Sequence, residues 1–131
     1  MNRRLLLTAI VAFGCSKTID DRGAEIVDFT NPKRVLASVF FAAKHDKADH
    51  LATLCDPEGS ANKHALRICR QTWQGEDWRS FQRQFAQGRL IGEARISGDR
   101  ALINFVFGPQ GTDPETMELV RRDGNWFLKA F

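Results

Sequence analysis

The 131-residue chain has no tyrosine, only three histidines and only three cysteines. The missing phenol removes one acid–base group from any catalytic inventory. Three cysteines are too few for the dense disulfide framework of a small secreted scaffold, and no paired short Cys/His motifs mark a zinc site. Beyond the first 14 residues, no run is long and apolar enough to span a bilayer core of ~30 Å. Net charge is also small. The formal value is +3, and Arg3 and Arg4 supply two of those charges; without residues 1–14 the balance is 17 basic against 16 acidic, a net of +1. Signs alternate along the chain, as in Arg95, Asp99, Arg100 and in Glu118, Arg121, Arg122, Asp123. Such a surface has no basic field to hold a phosphate backbone, which excludes nucleic acid as a partner. No repeat, low-complexity tract or glycine-rich phosphate loop after a strand is present. Ser38 and Ser80 have no His or Asp at spacings that suggest a triad.

What is there reads as one domain. Hydrophobic residues are 43% and charged residues 27% of the chain, the globular range. A domain of about 100 residues buries roughly two thirds of its unfolded surface and needs no metal to fold. Residues 1–14 are expected to be a signal peptide: Asn2-Arg3-Arg4 is a positive n-region, Leu5 to Phe13 a short apolar h-region, and Gly14 a small residue before Cys15. Ala12-Phe13-Gly14-Cys15 resembles a lipobox, which implies cleavage before Cys15 and its lipidation; the resemblance implies three acyl chains and lasting membrane attachment. Ala12 stands where Leu is usual, and Phe13 is bulky. The alternatives are ordinary small-x-small cleavage at Ala12 and Gly14, which releases a soluble protein, and a retained cytosolic N-terminus. Residues 15–30 read as a lipidated tether. Ile26, Val27 and Phe29 are placed to dock onto the domain.

Cysteine arithmetic bears on the choice. An odd thiol is a liability in an oxidising compartment, and lipidation of Cys15 leaves Cys55 and Cys69 as a pair. They enclose 15 residues, and a bridge there contributes about 3 kcal/mol by loop closure. Two buried free thiols are the alternative.

Residues 31–131 carry four helical patterns and then four strands. Asn31-Pro32 is a cap followed by a first-turn proline, and Val35, Leu36, Val39, Phe40 and Ala43 follow at helical spacing up to Lys44-His45-Asp46. A short helix starts near Asp49 and stops at Asp56-Pro57-Glu58-Gly59. A third is expected from Ala61 to Trp73. A fourth starts near Asp77, places Trp78, Phe81 and Phe85 on one face, and ends at Gly88. Then Leu90–Ile96, Ala101–Phe107, Thr116–Arg122 and Trp126–Phe131 read as strands, joined at Ser97-Gly98-Asp99, a loop from Gly108 to Glu115, and Asp123-Gly124. Helices before an antiparallel meander mean α+β.

The Asn31-Pro32 start with Phe40-Phe41-Ala42-Ala43, the Asp46–Leu54 stretch, the Ser97-Gly98-Asp99-Arg100-Ala101 turn and the Asp123-Gly124-Asn125-Trp126 hairpin together resemble the nuclear transport factor two-like (cystatin-like cone) superfamily, in particular its small bacterial lipoproteins of unknown function. The resemblance covers nearly all of 31–131. It implies N-terminal helices on a curved antiparallel sheet with a pocket between them, and no particular reaction.

Phe40, Phe105, Phe107 and Trp126 are the candidate pocket-lining residues; a filled aromatic core is the competing account. His45, Asp46, Asp49 and His50 form the densest cluster of metal-ligand types, but lie beside Lys44 and Lys47 where a solvated turn is expected. No metal, no cofactor and no catalytic residue is assigned. The expected function is that of a lipid-anchored, extracytoplasmic, non-catalytic binding or scaffolding module of the bacterial envelope. It would face the periplasm or the exterior and hold an apolar ligand or a protein partner. The alternatives are an isomerase-, dehydratase- or cyclase-type enzyme using the pocket, and a homodimer paired through its sheets.

Overall fold

Asn31 starts the first helix as its residue type demands: its side-chain oxygen accepts the Lys33 N–H at 3.0 Å, and Pro32 follows at the first helical position. The resulting α1, Pro32–Lys44, buries Val35, Leu36, Val39, Phe40, Ala42 and Ala43. The computed structural model describes residues 27–59, 61–70 and 72–131. The expected signal peptide, Cys15 and most of the expected tether lie outside the described residues. After α1 come a 3₁₀ segment, Ala48–Leu54, then α2, Lys63–Ile68, and α3, Gly75–Phe85. The strands are β1 Arg89–Ser97, β2 Arg100–Phe107, β3 Asp113–Arg122 and β4 Asn125–Ala130. They form one antiparallel sheet in the order β1-β2-β3-β4. The architecture is α+β, with helices packed on one face of the meander.

Alternation decides which face is inside. Ala101, Ile103 and Phe105 of β2, Met117 and Leu119 of β3, and Trp126 and Leu128 of β4 point at the helices and are buried. The outer face is held by cross-strand polar pairs. Arg95 donates to Asn104 at 3.1 Å, Thr116 donates to Asn104 at 3.0 Å, and Arg100 pairs with Glu118 at 2.9 Å. The Asp123-Gly124 turn has positive φ at both positions, the geometry a two-residue hairpin needs. Val27 and Phe29 pack against the core, and the Phe29 ring lies 5.6 Å from Phe127.

Three elements differ from expectation. The Ala61–Trp73 helix is only Lys63–Ile68. Asn62 caps its start by accepting the Ala65 N–H, and Cys69, bonded to Cys55, closes it; the chain then leaves the helix so that Trp73 meets Trp78 and Phe81. The short helix near Asp49 is 3₁₀ rather than α. β3 begins at Asp113 and so includes Pro114, which pairs with Val106. Proline is tolerated there because β4 reaches β3 only as far as Glu118, which leaves Pro114 on an open edge.

The free edge of β4 is covered by the segment after the 3₁₀ turn. Cys55 bridges Leu128 in parallel, Asp56 N–H donates to Leu128 O at 2.9 Å, and Ala61 N–H donates to Lys129 O at 2.9 Å. The Asp56 carboxylate is buried beneath this strap. It accepts from Arg122 at 2.6 and 2.9 Å and from Lys129 at 2.7 Å.

Gly111 is required by both backbone and space. Gly111 has φ +68°, and a Cβ there would sit 2.6 Å from the Gln87 carbonyl oxygen. Gly111→Ala is expected to cost about 2 kcal/mol. A urea midpoint that falls with the slope unchanged checks this, and an unmoved midpoint counts against it.

Candidate functional site

The helical spacing of Trp78, Phe81 and Phe85 puts three rings in a row along α3. Trp78 and Phe81 stack at 5.4 Å, and Phe81 and Phe85 at 4.5 Å. Three backbone-directed or side-chain bonds pin α3 in place: Gln82 to Ala43 O at 2.9 Å, the Trp78 indole N–H to Asp46 at 2.5 Å, and the Gly108 N–H to Gln84 O at 2.7 Å. The strand ends add Phe107, 5.1 Å from Phe85, and Phe131, 6.2 Å from both Phe85 and Phe107. Trp73 closes the row at 5.0 Å from Phe81.

Above these rings lies a recess of about 570 Å³ between α2, α3 and the end of the sheet. That volume is in the range of small-molecule sites. Trp73, Phe81, Phe85, Phe107 and Phe131 form its apolar surface. α2 and its exit supply a polar rim of His64, Arg67 and Arg70. The His64 ring lies 5.8 Å from Phe131. The Arg70 guanidinium sits 4.6 Å over the Trp73 ring and reaches Asp77 at 3.1 Å. Arg67 is exposed and makes no ion pair among the described residues. Ser80 and Gln84 line the recess from α3, and Glu115 lines it from β3.

α2 owes its position to few contacts. Its six residues bury only Ala65 and Ile68, and so short a helix is not stable by itself. The Cys55–Cys69 disulfide fixes one end, and the Asn62 side-chain amide donates to Phe131 O at 2.8 Å at the other.

Of the four aromatic residues singled out from the sequence, Phe107 lines this recess and the other three do not. Phe40, Phe105 and Trp126 are 7%, 1% and 2% exposed and fill the space between helices and sheet. Phe40 points inward from α1 and lies against Gly88, where even a Cβ would meet its ring at 2.3 Å. The space between helices and sheet at these three residues is thus packed, and the opening lies to one side of it. Phe81 and Phe85, which the sequence offers as core or pocket residues, and Trp73, which it offers as part of a partner-binding patch, line the recess, as do Phe131, Arg67 and Arg70, to which the sequence reading gives no role. The Trp78/Phe81/Phe85 row and the Arg67/Arg70 spacing were the signals that could have found most of them.

His64, Asp77 and Ser80 meet at this recess, but Asp77 is held by Arg70 and no hydrogen bond joins Ser80 to His64 among the described residues. The His45–His50 cluster is used locally: His45 packs on Phe41 at 4.3 Å, and Asp46 accepts from Trp78. Among the described residues no group of three or more His, Cys, Asp or Glu side chains could hold a metal ion. Among the described residues the most strongly perturbed carboxyl is Asp56. Arg122 holds it well below the usual carboxylate range, with Lys129 and the Glu58 N–H adding to the effect against the cost of burial. It belongs to the strap and is absent from the recess lining.

No protein-family model matches this chain, and no curated protein matches it. Among solved structures, the chain is similar to the solution structure of a SEC-C motif containing protein from Rhodopseudomonas palustris. The two share 17% identity over 79% of each chain, with a TM-score of 0.52. At that identity the likeness concerns the fold alone, and it agrees with helices packed on an antiparallel sheet.

Proposed function

We propose that this chain is a lipid-anchored protein of the bacterial cell envelope, resembling the small lipoproteins with a nuclear transport factor two-like cone, and that its domain binds an apolar ligand or partner without catalysis. The observation that carries the binding role is the recess: five aromatic side chains facing a volume of about 570 Å³, with charged and polar side chains from α2, α3 and β3 completing its lining. Two further features support a non-catalytic reading. The carboxyl with the largest shift is engaged in a structural ion pair away from the recess. Among the described residues the acid, imidazole and hydroxyl that line the recess are not linked as a relay.

The Cys55–Cys69 disulfide supports an oxidising compartment, since such bonds persist outside the cytosol. Lipidation of Cys15 accounts for the third cysteine and leaves no odd thiol. No helix among the described residues is long and apolar enough to cross a membrane, so attachment in this reading rests on acyl chains. Labelled palmitate should enter the native chain in growing bacteria and vanish from Cys15→Ser. Equal labelling of the two rejects the anchor.

A further inference from the structure

Resting on that reading of the recess, we infer that its ligand is an apolar monocarboxylate, such as a medium-chain fatty carboxylate. The two guanidinium groups of the recess both come from α2 and its exit. Arg67 is exposed on α2 with no ion partner, and Arg70 is only partly engaged, by Asp77 and by the face of Trp73. The Trp73 indole N–H is buried and meets no hydrogen-bond acceptor among the described residues. A buried donor left unpaired calls for an explanation, and an acceptor brought by a ligand provides one once the half-buried indole turns toward it. Two guanidinium groups lining the same recess, joined by the indole N–H once it turns, match a carboxylate, which accepts from several donors at once.

The rest of the recess sets the body and the charge count. Five aromatic rings supply its apolar surface, and the remainder of the ligand packs on them and is apolar. Glu115 lines the recess from the sheet side and has no ion pair among the described residues. A second carboxylate placed there meets repulsion, which selects a monoanion over a dianion.

The test titrates the chain, below each amphiphile's micelle concentration, with decanoate, decanol, decylamine and decanedioate, read by calorimetry and by tryptophan fluorescence. Saturable binding of decanoate is expected, about tenfold tighter than decanol, with decylamine and decanedioate weaker still. Arg67→Ala, an exposed change, should erase the advantage over decanol. Trp73→Phe, which keeps a ring but loses the N–H, should weaken decanoate by about threefold. If decanol matches decanoate, or decylamine binds best, the carboxylate preference is overturned while the apolar recess stands. If none of the four saturates, both this inference and the binding role fall.

Discussion

Replacing Cys55 and Cys69 together with serine is expected to lower the unfolding free energy by about 3 kcal/mol, the loop-closure value for the 15 residues they enclose. The loss has a structural direction. Cys55 ends the 3₁₀ segment and sits beside β4, while Cys69 closes α2. Without the bridge, α2 is a six-residue helix held by two buried side chains and the Asn62 bond to Phe131. The strap over β4 retains Asp56 and its ion pairs. Local loosening should therefore concentrate in residues 62–70, and hydrogen exchange should report it there before the sheet opens. Because α2 carries His64 and Arg67, recess binding should weaken along with stability, whereas the outer face of the sheet is untouched. Urea unfolding with and without reductant gives the magnitude. A loss below about 1 kcal/mol, or protection lost evenly across the domain, would contradict this account.

The order of elements was legible because local chemistry and global fold agree. Asn31-Pro32 is a cap in isolation and in place. Ala101, Ile103 and Phe105 alternate because their strand has one buried face. Asp123-Gly124 demands a turn whatever surrounds it. Periodicity predicts too long a third helix because it cannot report that Cys69 is tied to Cys55, or that Trp73 has a better site against Trp78 and Phe81. Pro114 suggested a loop because a single strand does not reveal the length of its neighbour.

The recess was less legible for a related reason. Phe40, Phe105, Phe107 and Trp126 share the same signature: a large ring on the apolar face of an element. What separates Phe107 from the other three is its place at the end of β2, against Phe85 of α3 and Phe131 at the chain's last position. Phe131 gains its role by packing against Phe85, Phe105 and Phe107, partners 24 or more positions distant in sequence. Asp56 shows the same limit more sharply. Beside Pro57 and Gly59 it reads as a solvated turn, yet its partners are 66 and 73 residues away and bury it.

Asp56→Asn should cost about 3 kcal/mol at neutral pH, and the cost should fade in acid. Removing one member of a buried ion pair typically costs 3–5 kcal/mol. The lower end applies because the Arg122 and Lys129 side chains remain 31% and 25% exposed, and water can solvate them once the carboxylate is gone. Arg122 also keeps its contact with Glu58 at 3.3 Å. Asparagine preserves the volume and an acceptor for the Glu58 N–H, so the difference reports charge rather than a cavity. In the folded chain the Arg122 hydrogen bonds, then Lys129 and the Glu58 N–H, lower the Asp56 pKa in spite of burial; in the unfolded chain the group titrates near 3.8. A folded pKa below the unfolded one means that the native state binds the proton less readily. Its contribution is therefore complete above the unfolded value and is lost as pH falls from there toward the folded one. Urea midpoints for the two proteins should differ fully at pH 7 and pH 5 and converge below about pH 4, mainly through loss of native stability. A gap that stays constant into strong acid would show that Asp56 acts through shape or hydrogen bonding alone. The strap on β4 would then need another anchor than the charge beneath it.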